Sequence, residues 1–152
     1  MKDQITIVSA ITLAIAVLGA VLGIINTWKA LDRDKVKLRV VPKQAIPAGG
    51  LFEPRKYLCI DVTNLSNFAL TITEVGLLFS GTSKRAAVIK PIIIDGGEYP
   101  RKLEPRTSFS AYMIPESING FDGYRVKCAY ATTDCGLTFK GNSPALQQMF
   151  NA

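Results

Sequence analysis

Residues 5–25 read ITIVSAITLAIAVLGAVLGII, twenty-one residues without a charge, a proline or a histidine. A helix over this stretch would be roughly 31 Å long, which matches the hydrocarbon core of a bilayer. Backbone groups in lipid need partners within their own segment, so the stretch predicts one transmembrane helix over residues 5–27, after a short tail at 1–4. A soluble core helix and a cleaved signal peptide are the alternatives. The run is longer than a usual signal, and its only A-x-A site, 14–16, lies inside it.

One face of this predicted helix carries small and polar residues at spacings that alternate between three and four. They are Ser9, Thr12, Ala16, Gly19, Gly23 and Asn26. The opposite face is mostly bulky, and the two glycines form a G-x-x-x-G pattern. In lipid, helices associate through close backbone approach and inter-helix hydrogen bonds, and small residues permit both. We therefore expect this face to pack against another helix, either in a homo-oligomer or in a partner membrane protein.

Basic residues are distributed asymmetrically about the apolar stretch. Lys2 alone precedes it, whereas six Lys and Arg residues lie between positions 29 and 43. The positive-inside rule then predicts a cytoplasmic C-terminal domain, with an extracytoplasmic location as the alternative. Residues 28–35 would form a juxtamembrane linker. Because indole and basic side chains favour the interface, lipid contacts are expected at Trp28, Lys29, Lys35, Lys37 and Arg39.

Beyond the linker, short runs of alternating apolar and polar residues are separated by turn signals. The clearest strand is 57–64, in which Leu58, Ile60 and Val62 share one face. The phase of the strand at 69–79 slips near Glu74, which predicts a bulge or a corner. The remaining expected strands are 36–41, 87–94 (at an edge or a bulge, since it contains Pro91), 108–114, 124–132 and 137–140. Residues 42–54 and 101–106 read as loops, and a short helix is expected in the tail, 142–152.

This pattern predicts an all-β domain over 36–141, an antiparallel β-sandwich preceded by one N-terminal transmembrane α-helix. The order of segments resembles an immunoglobulin-like domain, through IDVTNLS at 60–66, LTITEVG at 70–76, LEPRTS at 103–108, RV at 125–126 and DCG at 134–136. Similar runs occur in small bacterial single-pass membrane proteins with a C-terminal immunoglobulin-like sandwich. The resemblance implies that fold and brings no function with it. Antibody-type domains also have a tryptophan after the position of Cys59 and a tyrosine two residues before that of Cys128. This chain has its one tryptophan at Trp28 and a valine at Val126, so the resemblance is to the architecture and not to the antibody family.

Motifs for catalysis and cofactor binding are sparse. The chain has no histidine, no C-x-x-C pair, no G-x-S-x-G elbow and no phosphate-binding glycine pattern. Strand parity places Cys59 away from the core and Cys128 inside it, and Cys135 falls at a turn, so a disulfide is disfavoured. The net charge of +6 is not interleaved with aromatic platforms, which disfavours nucleic acid as a partner. We expect no enzyme activity, no cofactor and no metal.

These features predict a membrane-anchored, non-enzymatic binding module. It would be an accessory or scaffolding subunit that acts through helix packing and through contacts of its loops or an edge strand with a protein. Membrane lipid is the other expected partner. The alternative is a structural cell-envelope subunit with the domain outside, assembling through its hydrophobic helix. A third hypothesis, an enzyme or a small-molecule sensor, requires a polar pocket between the sheets instead of a solid apolar core.

Overall fold

The computed structural model describes residues 2–46, 55–118 and 123–150, with side chains from position 6 onward. The chain divides into two compact units, Met1–Lys35 and Val36–Ala152. The described part of the first unit is helical, and that of the second, the β-domain, is built mainly from strands.

The first unit is one long helix, α1, at Lys2–Arg33. It extends beyond the predicted range, so that 28–33 of the expected linker are helical. Its large apolar side chains are exposed on every side. The segment Thr6–Arg33 is long and apolar enough to cross a membrane. A helix that is hydrophobic all round is suited to an apolar environment, because in water the exposed side chains would have no compensating burial.

The described residues of the β-domain form eight strands in two antiparallel sheets. The three-stranded sheet has the order β1-β2-β6, and the five-stranded sheet has the order β4-β3-β7-β8, with β5 also paired to β3. A 3-10 helix occupies Pro115–Ser117, and α2 occupies Pro144–Phe150, where the sequence predicts a short helix. The strands are β1 (Leu38–Ala45), β2 (Tyr57–Asn64), β3 (Leu70–Phe79), β4 (Arg85–Ala87), β5 (Arg101–Leu103), β6 (Ser108–Met113), β7 (Val126–Thr133) and β8 (Thr138–Gly141).

One apolar core takes side chains from both sheets. In β2, Leu58, Ile60 and Val62 are fully buried in it, as the period-two pattern predicts. From the other sheet, Val75 and Leu77 of β3 are buried in the same cluster. Removing these side chains from water is the dominant favourable contribution to folding, so the alternation in the strands sets which face of each sheet lies inward.

Two irregularities in the pairing of β3 with β7 change which side chains face the core. The first lies beside Glu74 and confirms the predicted bulge. At the second, Cys128 lies opposite Leu78 but Val126 lies opposite Phe79. The prediction that Cys128 faces the core is therefore wrong, because the irregularity reverses the parity between these two residues of β7. Cys128 is buried outside the core cluster, on the outer face of its sheet.

The segment between β4 and β5 departs most from the prediction. The strand expected at 87–94 is wrong, because β4 covers only Arg85–Ala87. Ile92 pairs instead with Tyr112 of β6, in the other sheet. The chain then returns to β3 as β5, where a loop was expected. Pro91 has no N–H to donate to a ladder, which is consistent with the end of the β4 pairing before it.

The two sheets approach each other closely between β1 and β8. A Cβ atom on Gly141 would lie 1.8 Å from the carbonyl oxygen of Val40, so glycine is needed for this approach. β1 continues through Pro42, where a loop was expected, and its position at the sheet edge tolerates the proline. Next to this seam, Ser143 Oγ accepts the Leu146 N–H at 3.1 Å as the cap of α2, and Leu146 is fully buried in the core.

Candidate functional site

One end of the β-domain, where the chain enters β1, is organised around a buried amide side chain. Asn64 is the last residue of β2 and is fully buried. Its Nδ2 donates to the carbonyl oxygens of Phe68 (2.8 Å), Leu103 (3.1 Å) and Glu104 (3.3 Å). Its Oδ1 accepts the N–H of Ser66 at 2.9 Å. We call the surface formed by 64–69, 103–107, 133–137 and Lys37 the linker end.

The entry point of the chain is held by a second buried side chain. Ser66 Oγ accepts the Lys37 N–H at 2.7 Å and donates to the Lys37 carbonyl oxygen at 3.2 Å. The Leu65 N–H donates to the same carbonyl oxygen at 2.8 Å. Ser66 is only 2% exposed, so water competes little for these bonds. The residue just before β1 is therefore fixed to the domain.

The turn at 104–107 presents an arginine in a strained conformation. The Thr107 N–H donates to the Glu104 carbonyl oxygen at 3.2 Å, and Pro105 and Arg106 occupy the two central positions. Arg106 has φ of 64°, as the third residue of a type II turn requires. It is the one non-glycine residue with positive φ in the described part of the chain, a conformation that costs roughly 1–2 kcal/mol. Its Nη2 donates to Asn67 Oδ1 at 3.5 Å.

The third loop of the linker end follows β7. The Asp134 N–H donates to the Thr71 carbonyl oxygen at 2.9 Å, and Asp134 Oδ1 accepts the Cys135 N–H at 3.0 Å. Leu137 in this loop is 47% exposed, and Phe68 in the first loop is 36% exposed. The linker end therefore exposes two large apolar side chains beside its basic residues.

The five residues expected at the membrane interface are divided between the two units. Trp28 and Lys29 lie in α1, with Trp28 70% exposed, and Lys35 follows the helix. Lys35 forms an exposed ion pair of 3.9 Å with the carboxylate three residues before it, a contact worth little in water. Lys37 belongs to the linker end, and Arg39 is an exposed residue of β1.

The six residues expected to pack against another helix all lie in α1: Ser9, Thr12, Ala16, Gly19, Gly23 and Asn26. A Cβ atom on either glycine would meet nothing within 4 Å, so the surface over them is open. The Thr12 hydroxyl already donates to the Val8 carbonyl oxygen at 2.8 Å. The backbone of a second helix could therefore approach closely at the two glycines. The Thr12 hydroxyl has its hydrogen bond within α1 and needs no second helix to form it.

The outer face of the five-stranded sheet carries a polar cluster. The Tyr130 hydroxyl donates to Glu74 Oε1, and Arg85 Nε lies 3.2 Å from the same oxygen. The Arg85 guanidinium also lies 5.8 Å from the Tyr130 ring centroid. Burial, with a smaller contribution from Glu74, raises the pKa of Tyr130, and burial raises the pKa of Tyr99 to about 12. Both phenols are neutral at pH 7, so neither is an activated phenolate, and the hydrogen-bonded network on this face consists of Tyr130, Glu74 and Arg85.

A second polar cluster lies on the outer face of the three-stranded sheet. Lys43 Nζ lies 2.8 Å from Asp61 Oδ2, and Ser110 Oγ donates to Asp61 Oδ1 at 3.4 Å. The neighbouring Cys59 is buried opposite Tyr112. Burial raises the pKa of the Cys59 thiol, and a protonated thiol is a weak nucleophile. The arrangement supports an ion pair across strands and no activated nucleophile.

The cysteines cannot form the inter-sheet bridge that their sequence separation would allow. All three are free thiols, with Cys59 and Cys128 buried and Cys135 exposed. The two buried residues lie on the outer faces of opposite sheets, with the core between them. Among the described residues, no three His, Cys, Asp or Glu side chains come together in a way that could hold a metal ion.

The space between the sheets is occupied by the apolar core, and a cavity lies at the surface beside it. This groove, of about 570 Å³, runs between the segment after β4 and the end of β6. Most of its lining is apolar, including Val88, Ile89, Ile92, Met113 and Ile118. The rest of its lining includes two basic side chains and two hydroxyl groups, those of Arg85, Lys90, Tyr112 and Ser117.

The sequence matches no protein-family model and is not significantly similar to any curated protein. Identification of a functional surface therefore depends on the geometry above. Sequence patterning did not single out Asn64 or Arg106. A usable signal existed for Asn64, which continues the core parity of Leu58, Ile60 and Val62 with a polar side chain. A polar residue at such a position must find buried partners.

Proposed function

We propose that this protein is a membrane-anchored, non-enzymatic binding module, an accessory or scaffolding subunit. The observation that carries the proposal is the attachment of the chain at Lys37: the residue between the apolar helix and β1 is fixed by Ser66 at a defined point of the domain. Such an attachment suits a domain that is displayed at a membrane. The apolar filling between the sheets and the neutral, hydrogen-bonded polar clusters favour a binding role over catalysis.

We further propose that the β-domain is an immunoglobulin-like sandwich. The support is its strand order, in which β1-β2-β6 lies across one core from β4-β3-β7-β8, with β3 and β7 paired at the centre. The close approach of β8 to β1 at Gly141 and the pairing of Ile92 with Tyr112 of β6 shield parts of two lateral edges. Binding is therefore more readily assigned to loops than to an edge strand.

The orientation proposed for the domain is cytoplasmic, on the basis of the basic residues that follow the helix. Paired reporter fusions after the C-terminus, one active only in the cytoplasm and one only outside, test it. Activity of the cytoplasmic reporter is expected. Activity of the outside reporter would overturn this orientation and would favour a structural envelope subunit.

The proposed partner of α1 is a second membrane helix that packs on the stripe from Ser9 to Asn26. Replacing Gly19 and Gly23 together by isoleucine should reduce self-association, or recovery of a partner, in mild detergent because the backbones could no longer approach closely. Ala14→Ile, on the opposite face, is the matched control. Equal behaviour of the double variant and the control would exclude packing through this stripe.

A further inference from the structure

The linker end combines features that fit a lipid surface. Phe68 and Leu137 are exposed apolar side chains in two of its loops. Lys37, Arg39 and Arg106 add positive charge at or beside it. An apolar side chain beside basic ones is the composition that inserts at a headgroup layer and attracts anionic lipid.

The acidic residues at this end offset only part of that charge. Glu104 is paired with Lys102 at 3.0 Å, so the two together are neutral. Asp134 accepts the Cys135 N–H through Oδ1 within its own turn and keeps its negative charge, so it offsets one of the three positive charges of Lys37, Arg39 and Arg106. The Arg106 guanidinium donates a long hydrogen bond of 3.5 Å to the neutral Asn67 side chain. The charge excess at this end is therefore positive.

Chain length alone brings this surface within reach of the bilayer. Four residues, 34–37, connect the end of α1 at Arg33 with the start of β1 at Leu38. Fully extended, four residues span roughly 14 Å. If residues 5–25 fill the hydrocarbon core, the eight helical residues 26–33 extend about 12 Å beyond it. The headgroup layer is about 5–8 Å thick, so the helix would end a few ångströms outside that layer. The linker is thus long enough to let Lys37 return to the headgroups and too short to carry the domain far from them.

We propose that the linker end docks onto the headgroup layer of the membrane that α1 crosses, with Phe68 and Leu137 entering the interface and Arg106 contacting anionic lipid. This proposal rests on the proposed membrane anchoring. The docking would hold the loops at the opposite end of the domain away from the membrane, where a soluble partner can reach them.

The test uses the full chain in vesicles that contain brominated lipids, which quench tryptophan near the bilayer. Trp28 is the sole tryptophan of the chain. The wild-type protein therefore reports on the helix alone. Phe68→Trp in a Trp28→Phe background reports on the linker end, and Leu137→Trp is the second reporter if the first variant does not fold. Tyr124→Trp in the same Trp28→Phe background is the matched control, since Tyr124 is 38% exposed and its ring centroid lies 6.1 Å from that of Phe79, at the far end of β3.

Docking predicts that Trp28 and the Phe68→Trp reporter are both quenched while the Tyr124→Trp control is not. Quenching of Trp28 without quenching at position 68 or 137 overturns docking and leaves the anchor intact. Absence of quenching at Trp28 overturns the anchor and the docking together. The two failures are therefore distinguishable.

The charge contribution has its own test. In vesicles that contain phosphatidylglycerol, Arg106→Gln should lower the ratio of docked to undocked domain about fivefold, because one basic residue near an anionic surface contributes about 1 kcal/mol. Arg125→Gln, an exposed arginine beside Tyr124, should leave the ratio unchanged. In vesicles of phosphatidylcholine alone, the two variants should behave alike. Equal effects of the two substitutions on phosphatidylglycerol vesicles would overturn the assignment of Arg106.

Discussion

Asn64→Leu is the substitution that most directly tests how the linker end is held together. Leucine keeps the branching of the asparagine side chain and is larger, so the change removes the hydrogen bonds without leaving a cavity, and overpacking at this buried site adds to the loss. The amide has two N–H donors and an acceptor oxygen. Three carbonyl oxygens share the two donors, and the Ser66 N–H uses the acceptor. We therefore count three hydrogen bonds as lost.

At about 1 kcal/mol each, three hydrogen bonds give a loss of about 3 kcal/mol in the free energy of unfolding. Asn64 is fully buried, so water cannot easily replace the missing partners. The β-domain unit comprises residues 36–152, hence 117 residues. With about 2.1 cal/mol/K per residue, a loss of 3 kcal/mol lowers the unfolding midpoint by about 12 °C.

The assay is urea unfolding of the full chain in micelles, followed by pulse labelling of the buried thiols of Cys59 and Cys128. These thiols lie in opposite sheets and report on the β-domain without a signal from α1. Asn67→Leu is the matched control, because Asn67 is exposed and accepts one bond of 3.5 Å. If Asn64→Leu stayed within about 0.5 kcal/mol of this control, the amide would not be the organising group of the linker end.

Three further outcomes are expected. Gly141→Ala should destabilise the β-domain by about 1–3 kcal/mol, because its Cβ would overlap the Val40 carbonyl oxygen. Gly19→Ala, whose Cβ would lie in open space, should leave the stability of the β-domain unchanged. Equal urea midpoints of the two variants would refute the close approach of β1 and β8. Stability should fall as pH rises from about 10 to 12, since the unfolded chain releases a proton that folded Tyr99, with its pKa raised to about 12, retains. Tyr99→Phe should make this decline shallower, and an unchanged slope of urea midpoint against pH would contradict it. A thiol reagent should modify one cysteine of the native chain rapidly, and Cys135→Ser should abolish that reaction; rapid modification of a second thiol would contradict the burial of the other two.

Sequence patterning was sufficient where a structural element depends on its own residues. The strand at 57–64 matches β2 residue for residue, because Leu58, Ile60 and Val62 alternate without interruption. The bulge at Glu74 was also visible, since the apolar parity changes within one strand. The pattern at 87–94 did not predict its pairing. Val88 bonds to Val75 of β3 in one sheet, and Ile92 pairs with Tyr112 of β6 in the other, which no rule based on neighbouring residues would show.

The candidate site was predictable only in part. Lys37 and Arg39 were expected at the membrane interface from their charge and their distance from the helix. Arg106 was classed with loop charges, because its place at the linker end depends on a turn that hydrogen-bonds to the end of β2. The same turn gives Arg106 its positive φ, which no local composition rule would assign to an arginine.

The sequence by itself determined the long apolar helix and the alternating strands, because the 21-residue apolar run and the period-two patterns are properties of neighbouring residues. Tertiary structure decided which side of its sheet Cys128 occupies, since a shift in strand pairing reverses its parity. It also decided the role of Asn64, whose amide bonds to carbonyl groups 39 and 40 residues away. Contacts at such separations form only when distant segments pack around a common core, and that packing is what brings the loops of the linker end together.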